Sequence, residues 1–498
     1  MSLSKGRIAL LNCPYVLNEP FFQQMAPLSL LYLGAYLEKI GHDVKIFNLD
    51  KNMQVDGAYL FTFNLPKLLE ELNTFAPDMI GVTCPYSGRW PFAGRMVQWV
   101  KNYFPTIPVA IGGIHPTAFP EHCLSTSDAD YVILGEGEHS TGQLLDCILG
   151  GNDVNDIDGV AFKENGEIKV NVKTHFIDNL DELPFPAYHL LDMDEMKQQC
   201  AKDRISRLKG LYFPLLTSRS CPNQCTYCNM FLAHGRKWRA RSAENVLAEI
   251  QYLVDEYGIN QFAIVDDNFS FSHKRTKAIL SGIIERGLSI RFITPNGLSV
   301  KTLDDELVGL LKAAGALEIS IAIESGSEWI REKVYNKRIN TQKIHEVVEA
   351  CRKHGLPIQA FYMIGAPGET DDTVQESLDL MRLLRVPSYI NITTPYKGTK
   401  LYEDYLALGK VTERDFIDGG AIDLRLPMEN VENYDQILRW RRKAQIWNII
   451  FSWKDILKNP GFLNINAISR FAKGILFSKK IDRYVIEKIL SEHFTLPG

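Results

Sequence analysis

Residues 218–230 read SRSCPNQCTYCNM and place Cys221, Cys225 and Cys228 within eight residues. Thiolates are soft ligands that select zinc, copper or iron–sulfur clusters. Structural zinc takes four closed ligands, and a [4Fe–4S] cluster ordinarily takes four cysteines. This stretch supplies three, and His234, six residues beyond Cys228, falls outside the common spacings. Three ligands leave one metal corner open, and an open corner marks chemistry rather than structure. A zinc-binding structural or interaction protein is the competing reading of the same thiols.

The stretch opens a series of alternating β and α patterns. Short apolar runs at 212–217, 261–265, 290–295, 318–323, 359–364 and 389–393 predict strands. Between them lie helical patterns such as SAENVLAEIQYLVDEYG and TQKIHEVVEACRKHG, most of which end at a glycine, a common helix stop. Six such units in about 200 residues suggest a partial or complete α/β barrel, whose chemistry sits at the carboxyl ends of strands. The cysteines follow the first strand of the series.

Residues 1–150 form an earlier alternating series, from RIALLNC through DMIGVTC and VAIGG to DYVILGEGE. It predicts a parallel sheet covered on both faces, with ligands bound at the carboxyl edge. No GxGxxG follows the first strand, which disfavours a dinucleotide. Residues 151–210 read as a connecting segment with a small hairpin at Asn165-Gly166, residues 211–405 as the barrel, and residues 406–498 as a helical, basic and aromatic region.

The totals fit this division. The chain has 498 residues, 45% of them hydrophobic and 23% charged, with a net charge of −5. That balance offers no global attraction to nucleic acid, and no nucleic-acid partner is expected. No apolar run reaches the length of a membrane-spanning helix. The N-terminal apolar segment is too short for a secretion signal, so a cytoplasmic protein is expected. The other six of the nine cysteines are scattered and read mainly as small buried hydrophobes.

The C-x3-C-x2-C pattern, with Tyr227 before its last cysteine, resembles the radical S-adenosylmethionine (SAM) superfamily. VDDNFSFS, ISIAIESGSEWI, FYMIGAPGET and TPYKGTKLYE follow at strand ends in the order that family has. The resemblance implies a [4Fe–4S] cluster on Cys221, Cys225 and Cys228, with SAM on the fourth iron. Tyr227, Asp266, Asp267, Asn268, Glu324, Ser325, Gly365 and Ala366 are then expected around SAM. A carboxylate at 266–267 would accept from the SAM ammonium, Glu324 and Ser325 would meet the ribose hydroxyls, and the GAPGE turn would meet adenine.

GVTCPYSG, AIGGIHPT and DYVILGEGE make the first domain similar to the cobalamin-binding domain of one large radical SAM class. The resemblance implies cobalamin at the sheet edge, near Tyr15, Thr83, Ser87, Gly112, Gly113, His115, Gly135, Glu136 and Gly137, with the glycines making room for the cofactor's tail. The DxHxxG motif of many such domains is missing: the matching loop, PYVLNEPFFQQMAPLS, has no histidine. His115 is expected to hydrogen-bond rather than to ligate cobalt.

The implied fold is α/β: a flavodoxin/Rossmann-like B12-binding domain, a partial (β/α)6 TIM-type radical SAM barrel and a small helical C-terminal region. The implied activity is methylation of an unactivated carbon or phosphorus, using one SAM to methylate cob(I)alamin and another to make a 5′-deoxyadenosyl radical. Radical cyclisation or rearrangement without a methyl donor is the alternative. A small-molecule substrate is expected, with a flavodoxin or ferredoxin as electron donor. Phe213, Thr294, Asn296 and Tyr362 are the candidate substrate contacts; Tyr396 and Lys397 of PYKGT come next, Lys397 reading chiefly as a solvent-facing residue. The segment Arg439–Trp453 reads chiefly as a packing helix, with peripheral membrane contact as a second reading.

Overall fold

The computed structural model describes residues 5–17, 26–55, 58–200, 208, 210–407, 434–458, 488–492 and 494. They fall into two compact units, and residues 230–235 and the C-terminal 488–494 segment belong with the first.

In the first unit β1 (Arg7–Leu11) and β2 (Tyr15–Leu17) precede β3 (Asp43–Phe47), β4 (Lys51–Val55) and β5 (Ala58–Thr62). Next come β6 (Met79–Thr83), β7 (Val109–Gly112) and β8 (Tyr131–Ile133), then β9 (Val160–Glu164) and β10 (Glu167–Val170). The main sheet runs β10-β9-β8-β7-β6-β1-β3, and its five strands from β3 to β8 are parallel. The apolar runs RIALL, MIGVT and VAIG are buried almost throughout, as strands covered on both faces must be. This is the flavodoxin-like order, and its switch point lies between β1 and β6. The hairpin at Asn165-Gly166, expected in a connecting segment, instead extends this sheet antiparallel to β8. A second sheet, β2-β5-β4, was not anticipated from the sequence. Ile489 and Phe494 close the core of this unit from far along the chain.

In the second unit β11 (Phe213–Leu215) leads to a two-stranded hairpin, β12 (Ser218–Arg219) and β13 (Arg239–Ala240). The parallel sheet continues through β14 (Gln261–Ile264), β15 (Arg291–Leu298), β16 (Ala316–Glu324), β17 (Ile358–Ile364) and β18 (Ser388–Ile392). Its six strands lie in chain order, β11-β14-β15-β16-β17-β18, an open barrel of the expected kind. Ser242, Asp304, Asn340 and Thr370 cap the intervening helices by accepting from backbone N–H groups, which explains where those helices begin.

Alternation along these strands separates two faces. Phe292, Ile319, Ile321, Ile323, Tyr362 and Ile390 are buried on the face that packs against the helices. Phe361 and Ala322 face inward, beside Gly297. The edge strand β18 is covered by the helix Tyr434–Lys458. Asn448 Oδ1 accepts from Ser388 N at 2.9 Å, Asn448 Nδ2 donates to Ser388 O at 2.7 Å, and Arg441 Nε donates to Ile390 O at 3.1 Å. An amide that both donates and accepts here stands in for the missing neighbour strand. Trp440 Nε1 donates to Asp371 Oδ1 at 2.5 Å. The described part of this helix therefore packs, while the side chains of Phe451 and Trp453, like residues 408–433 and 459–487, lie outside the described residues.

Candidate functional site

The three cysteines hang on the β12–β13 hairpin, whose base is pinned by Asp266 just beyond β14. The Asp266 carboxylate accepts from Thr217 N and Thr217 Oγ1 at 2.6 Å and from Ser218 Oγ at 2.5 Å. Burial pushes this carboxyl up, and the hydrogen bonds and Arg275 oppose the shift. Both oxygens are thus engaged by protein, and Asp266 holds the cysteine loop. Arg275 holds the same base by donating to Thr217 O and Arg241 O, each at 2.6 Å.

Ser220, immediately before Cys221, has φ 71, and Glu324, at the end of β16, also has φ 71. Non-glycine residues in the left-handed region carry strain that surrounding contacts must hold. Those contacts are present. Thr226 N donates to Tyr335 O at 3.1 Å, Thr226 Oγ1 to Val334 O at 2.7 Å, Asn336 Nδ2 to Gln224 O at 3.0 Å and Leu401 N to Thr226 O at 3.0 Å. The loop after β16 thus grips the cysteine loop directly. That loop contains a π-turn, Ile330–Val334, a distortion frequent at functional sites. Arg331, fully buried, organises it by donating to Ser325 O at 2.7 Å, Gly326 O at 2.8 Å and Ile339 O at 3.0 Å.

Tyr227 OH donates to Glu324 Oε1 at 3.0 Å, and Lys337 Nζ reaches the same oxygen at 2.7 Å. Burial pushes the Lys337 ammonium down, but Glu324 and the nearby thiols outweigh it, so Lys337 is held protonated. Burial also raises the Cys225 thiol, against the pull of Lys337. Cys221 Sγ accepts from Asn223 Nδ2 and Asn268 Nδ2, each at 3.4 Å. Asn268 Oδ1 is buried without a hydrogen-bond partner among the described residues.

Ser325 is fully buried and its hydroxyl lies 3.2 Å from Ser377 Oγ. In the GAPGE turn, Gly365 has φ 99 and Ala366 is buried. The Glu369 carboxylate accepts from Gly365 N and Ala366 N. Its other oxygen has no partner among the described residues, and burial pushes the group up to about 7. Asp267 is half-buried beside Asn268. Phe213, Thr294 and Tyr362 are buried, Tyr362 on the face that packs against the helices, and Thr294 Oγ1 accepts from Ser320 N at 3.2 Å.

The donor set suits an iron–sulfur cluster. All three thiols are half-buried, and a cubane takes one thiolate per iron.

At the sheet edge of the first unit, Thr83 ends β6 and Ser87 Oγ lies 3.0 Å from His115 Nδ1. His115 is fully buried, with ring centroids of Trp90 at 5.0 Å and Phe119 at 5.1 Å. Tyr15 stacks on Phe61 at 4.7 Å, and the Arg89 guanidinium lies 3.9 Å from the Tyr15 ring on the other loop of the switch point. Arg89 Nε is buried without a hydrogen-bond partner among the described residues. An aromatic and cationic shelf with a spare donor suits a large amide- and phosphate-bearing ligand such as cobalamin.

Glu136 is engaged by protein: it accepts from Ile177 N at 3.0 Å and lies 3.4 Å from His234 Nδ1. Gly113 has φ 124, and a Cβ there would lie 2.3 Å from Cys84 O. Its lack of a side chain permits the close approach of the neighbouring loop. Gly112 leaves only ordinary contact distances, and Gly135 and Gly137 abut Lys173 and Ile133. Sequence reasoning missed Arg331, Lys337, Asn336 and Arg89, because no local motif marks them, and gave Glu369 no role of its own within the GAPGE turn.

Comparison with known proteins agrees with both halves of this picture. The B12 binding domain family matches residues 16–145, and the Radical SAM superfamily matches residues 215–381. An uncharacterized methyltransferase of Pyrococcus horikoshii is 31% identical over 90% of this chain and 93% of its own length. Cytidylyl-2-hydroxyethylphosphonate methyltransferase of Streptomyces wedmorensis is 28% identical over 71% of this chain and 72% of its own. The fold is similar to the radical S-adenosylmethionine methyltransferase TsrM of Kitasatospora setae, solved with cobalamin and a [4Fe-4S] cluster bound, at TM-score 0.65 and 20% identity over 82% of this chain and 79% of that one. On these matches, and on two domains in this order, the chain belongs to the family of radical SAM methyltransferases that carry a B12-binding domain ahead of the radical SAM domain.

Proposed function

We propose that this chain methylates an unactivated carbon of a small molecule, with Cys221, Cys225 and Cys228 holding the cluster. A [4Fe–4S] cluster with SAM supplies a hydrogen-abstracting 5′-deoxyadenosyl radical, and cobalamin supplies the methyl group. The observation that carries the reading is the set of three half-buried thiols locked at a strand end beside a buried acceptor, Asn268 Oδ1, that has no hydrogen-bond partner among the described residues. That oxygen would take a hydrogen bond from the SAM ammonium. Glu324, oriented by Tyr227 and Lys337, would accept from ribose hydroxyls, and the Gly365–Ala366 turn would meet adenine. The buried Arg331 and Asp266 keep these groups in place before SAM arrives, so little reorganisation is left for the reaction. In the first unit Tyr15, Thr83, Ser87 and Arg89 would hold cobalamin.

The reductant is proposed to be a flavodoxin or ferredoxin in the cytoplasm, where thiols stay reduced. No helix among the described residues is long and apolar enough to cross a membrane. A peripheral contact would rest on Ile446 and Trp447, which are 43% and 37% exposed.

The test is anaerobic reconstitution with iron, sulfide and hydroxocobalamin, followed by iron analysis, a visible spectrum and an assay with methyl-labelled SAM. About four irons per chain are expected, with retained corrinoid and SAM cleavage. Replacing Cys221, Cys225 or Cys228 by Ala should abolish cleavage. Turnover that survives those replacements would overturn the proposal.

A further inference from the structure

The hairpin that carries the cysteines has a second arm of different character. Residues 236–241 read RKWRAR, with four cations and no acid. Arg219 of β12 pairs with Arg239 of β13. Counted on from that pair, Trp238 stands opposite Ser220 and Lys237 opposite Cys221. Beyond β14, residues 269–277 read FSFSHKRTK and add three cations, again with no acid. The two segments meet: the Phe271 ring packs edge-on to Trp238, with centroids 5.0 Å apart, and the Arg275 guanidinium lies 6.0 Å from the Trp238 ring. Arg236, Lys237 and Lys274 are exposed, and Phe271 is 43% exposed. The surrounding carboxylates are engaged. Glu249 pairs with Arg241, Glu306 with Lys277 at 2.6 Å, and Asp304 lies 3.6 Å from His273. Asp266 is buried under Thr217 and Ser218, and Asp267 is half-buried. The exposed charge of this patch is therefore positive, on a chain whose net charge is −5.

We propose that this patch, with Phe271 and Trp238 at its centre and Arg236, Lys237 and Lys274 at its rim, docks a small acidic one-electron carrier protein. The inference rests on the functional reading above and adds to it the surface that receives the electron. Electron transfer weakens steeply with distance, so a carrier must dock where a cluster ligand comes near the surface. Cys221 is followed by Pro222, Asn223 and Gln224, all exposed. Asn268, whose Nδ2 donates to Cys221 Sγ at 3.4 Å, lies three residues before Phe271, at most about 11 Å of chain away. On the other arm Trp238 stands opposite Ser220, the residue joined to Cys221. Both rings thus lead to the same cluster ligand. In the step itself the carrier loses one electron and the cluster gains it; no bond forms or breaks and no group passes between the proteins. Contacts between redox partners are small, and complementary charge brings such partners together. Aromatic rings and arginine are enriched at the centres of protein contacts, with charged groups at the rim. A carrier whose redox centre is ringed by carboxylates matches this patch in sign and in layout.

The test uses the full chain after anaerobic reconstitution, with a flavodoxin and, separately, a ferredoxin as the carrier. Binding is read by titration calorimetry. SAM cleavage is driven either by the reduced carrier or by photoreduced 5-deazariboflavin, an uncharged small reductant that needs no docking surface. The variant combining Lys237→Glu with Lys274→Glu should weaken carrier binding and slow carrier-driven cleavage about tenfold or more. Phe271→Ala should slow it about three- to tenfold. Deazariboflavin-driven cleavage should stay within about twofold in both, since the cluster site is untouched. Raising the salt from about 0.02 to about 0.3 M should slow the carrier-driven reaction of the wild type more than that of the double variant. Lys312→Glu, an exposed position in the last turn of the helix Asp305–Ala313, is the control and should behave like the wild type. Iron content equal to the wild type certifies that each variant is folded. Carrier binding and carrier-driven cleavage unchanged in the double variant would overturn the inference. So would an equal loss with both reductants, or binding of phosphatidylserine vesicles through the same lysines with neither carrier bound. If the wild type holds no iron and cleaves no SAM with either reductant, the functional reading fails; if deazariboflavin drives cleavage and the carriers ignore the patch, only this inference fails.

Discussion

The two units solve the same problem differently. Each is a parallel sheet whose carboxyl edge gathers the residues that the motifs single out. In the second unit those residues interlock: Tyr227, Glu324 and Lys337 share one oxygen, and the loop after β16 grips the cysteine loop with its own backbone. In the first unit several of the motif residues are spent on the protein itself. Glu136 is held by Ile177 N, His115 by Ser87, and Gly113 by the Cys84 carbonyl. A small cluster must be held by exact ligands, whereas a large macrocycle can be held by surface shape and scattered polar groups. The difference teaches that one edge is built around a donor set and the other around a shelf.

The comparison breaks most visibly at Lys337. Glu324 is buried and Lys337 is its ion-pair partner at 2.7 Å. Removing one member of a buried pair leaves the other charge uncompensated, at a cost of about 3–5 kcal/mol. Lys337→Met should therefore lower the thermal stability of the second unit and its iron retention together, while corrinoid binding by the first unit persists. Lys337→Arg should restore most of the iron. Iron retention unchanged in Lys337→Met would mean that the two edges do not differ in this way.

Glu369 sharpens the same contrast through pH. Its folded value of about 7 lies above the ordinary glutamate value of 4.5. The folded state therefore prefers the neutral acid. The stabilisation is fully present below about 4.5 and is lost as pH rises through about 7, amounting at most to about 3 kcal/mol. Unfolding midpoints of the reconstituted protein across pH 5 to 8, roughly the window this shift opens, should fall with rising pH. Glu369→Gln, neutral throughout, should flatten the slope. An equal slope in both proteins would show that the GAPGE turn does not depend on this carboxyl.

How much of this was legible in the sequence follows the same line. The strands of the second unit were readable because their outer faces are continuous apolar runs, and five of the six observed strands lie within two residues of the expected ends, β15 alone running three further to Leu298. The thiols were readable because cysteines at that spacing have few other uses. Asp266 and Ser325 were seen, but a strand-end position does not reveal that Thr217 and Ser377 also bond them. Lys337 and Arg331 lie in an irregular loop with a π-turn, where neither period 2 nor period 3.6 applies. The β2-β5-β4 sheet escaped because its strands are short and partly polar. The hairpin β9–β10 was seen, but its pairing with β8 is non-local and leaves no mark in the sequence.

The smallest expected effect is the sharpest test of the shelf. His115 is the histidine that the sheet-edge motif offers to cobalt, yet its ring is enclosed by Trp90 and Phe119 and its Nδ1 faces Ser87 Oγ. A ligand must reach out of the sheet edge, and this side chain is fully buried. His115→Gln keeps the size and a hydrogen bond to Ser87, so retained corrinoid should change less than about twofold, the scale of one neutral hydrogen bond. The visible spectrum of the bound corrinoid should not move, because the cobalt would lose no ligand. Arg89→Ala, which removes the cation from the Tyr15 ring, should reduce retention more than His115→Gln does. A spectral shift in His115→Gln would reverse the ranking, and with it the claim that the first unit holds its cofactor by shape rather than by a side-chain bond to the metal.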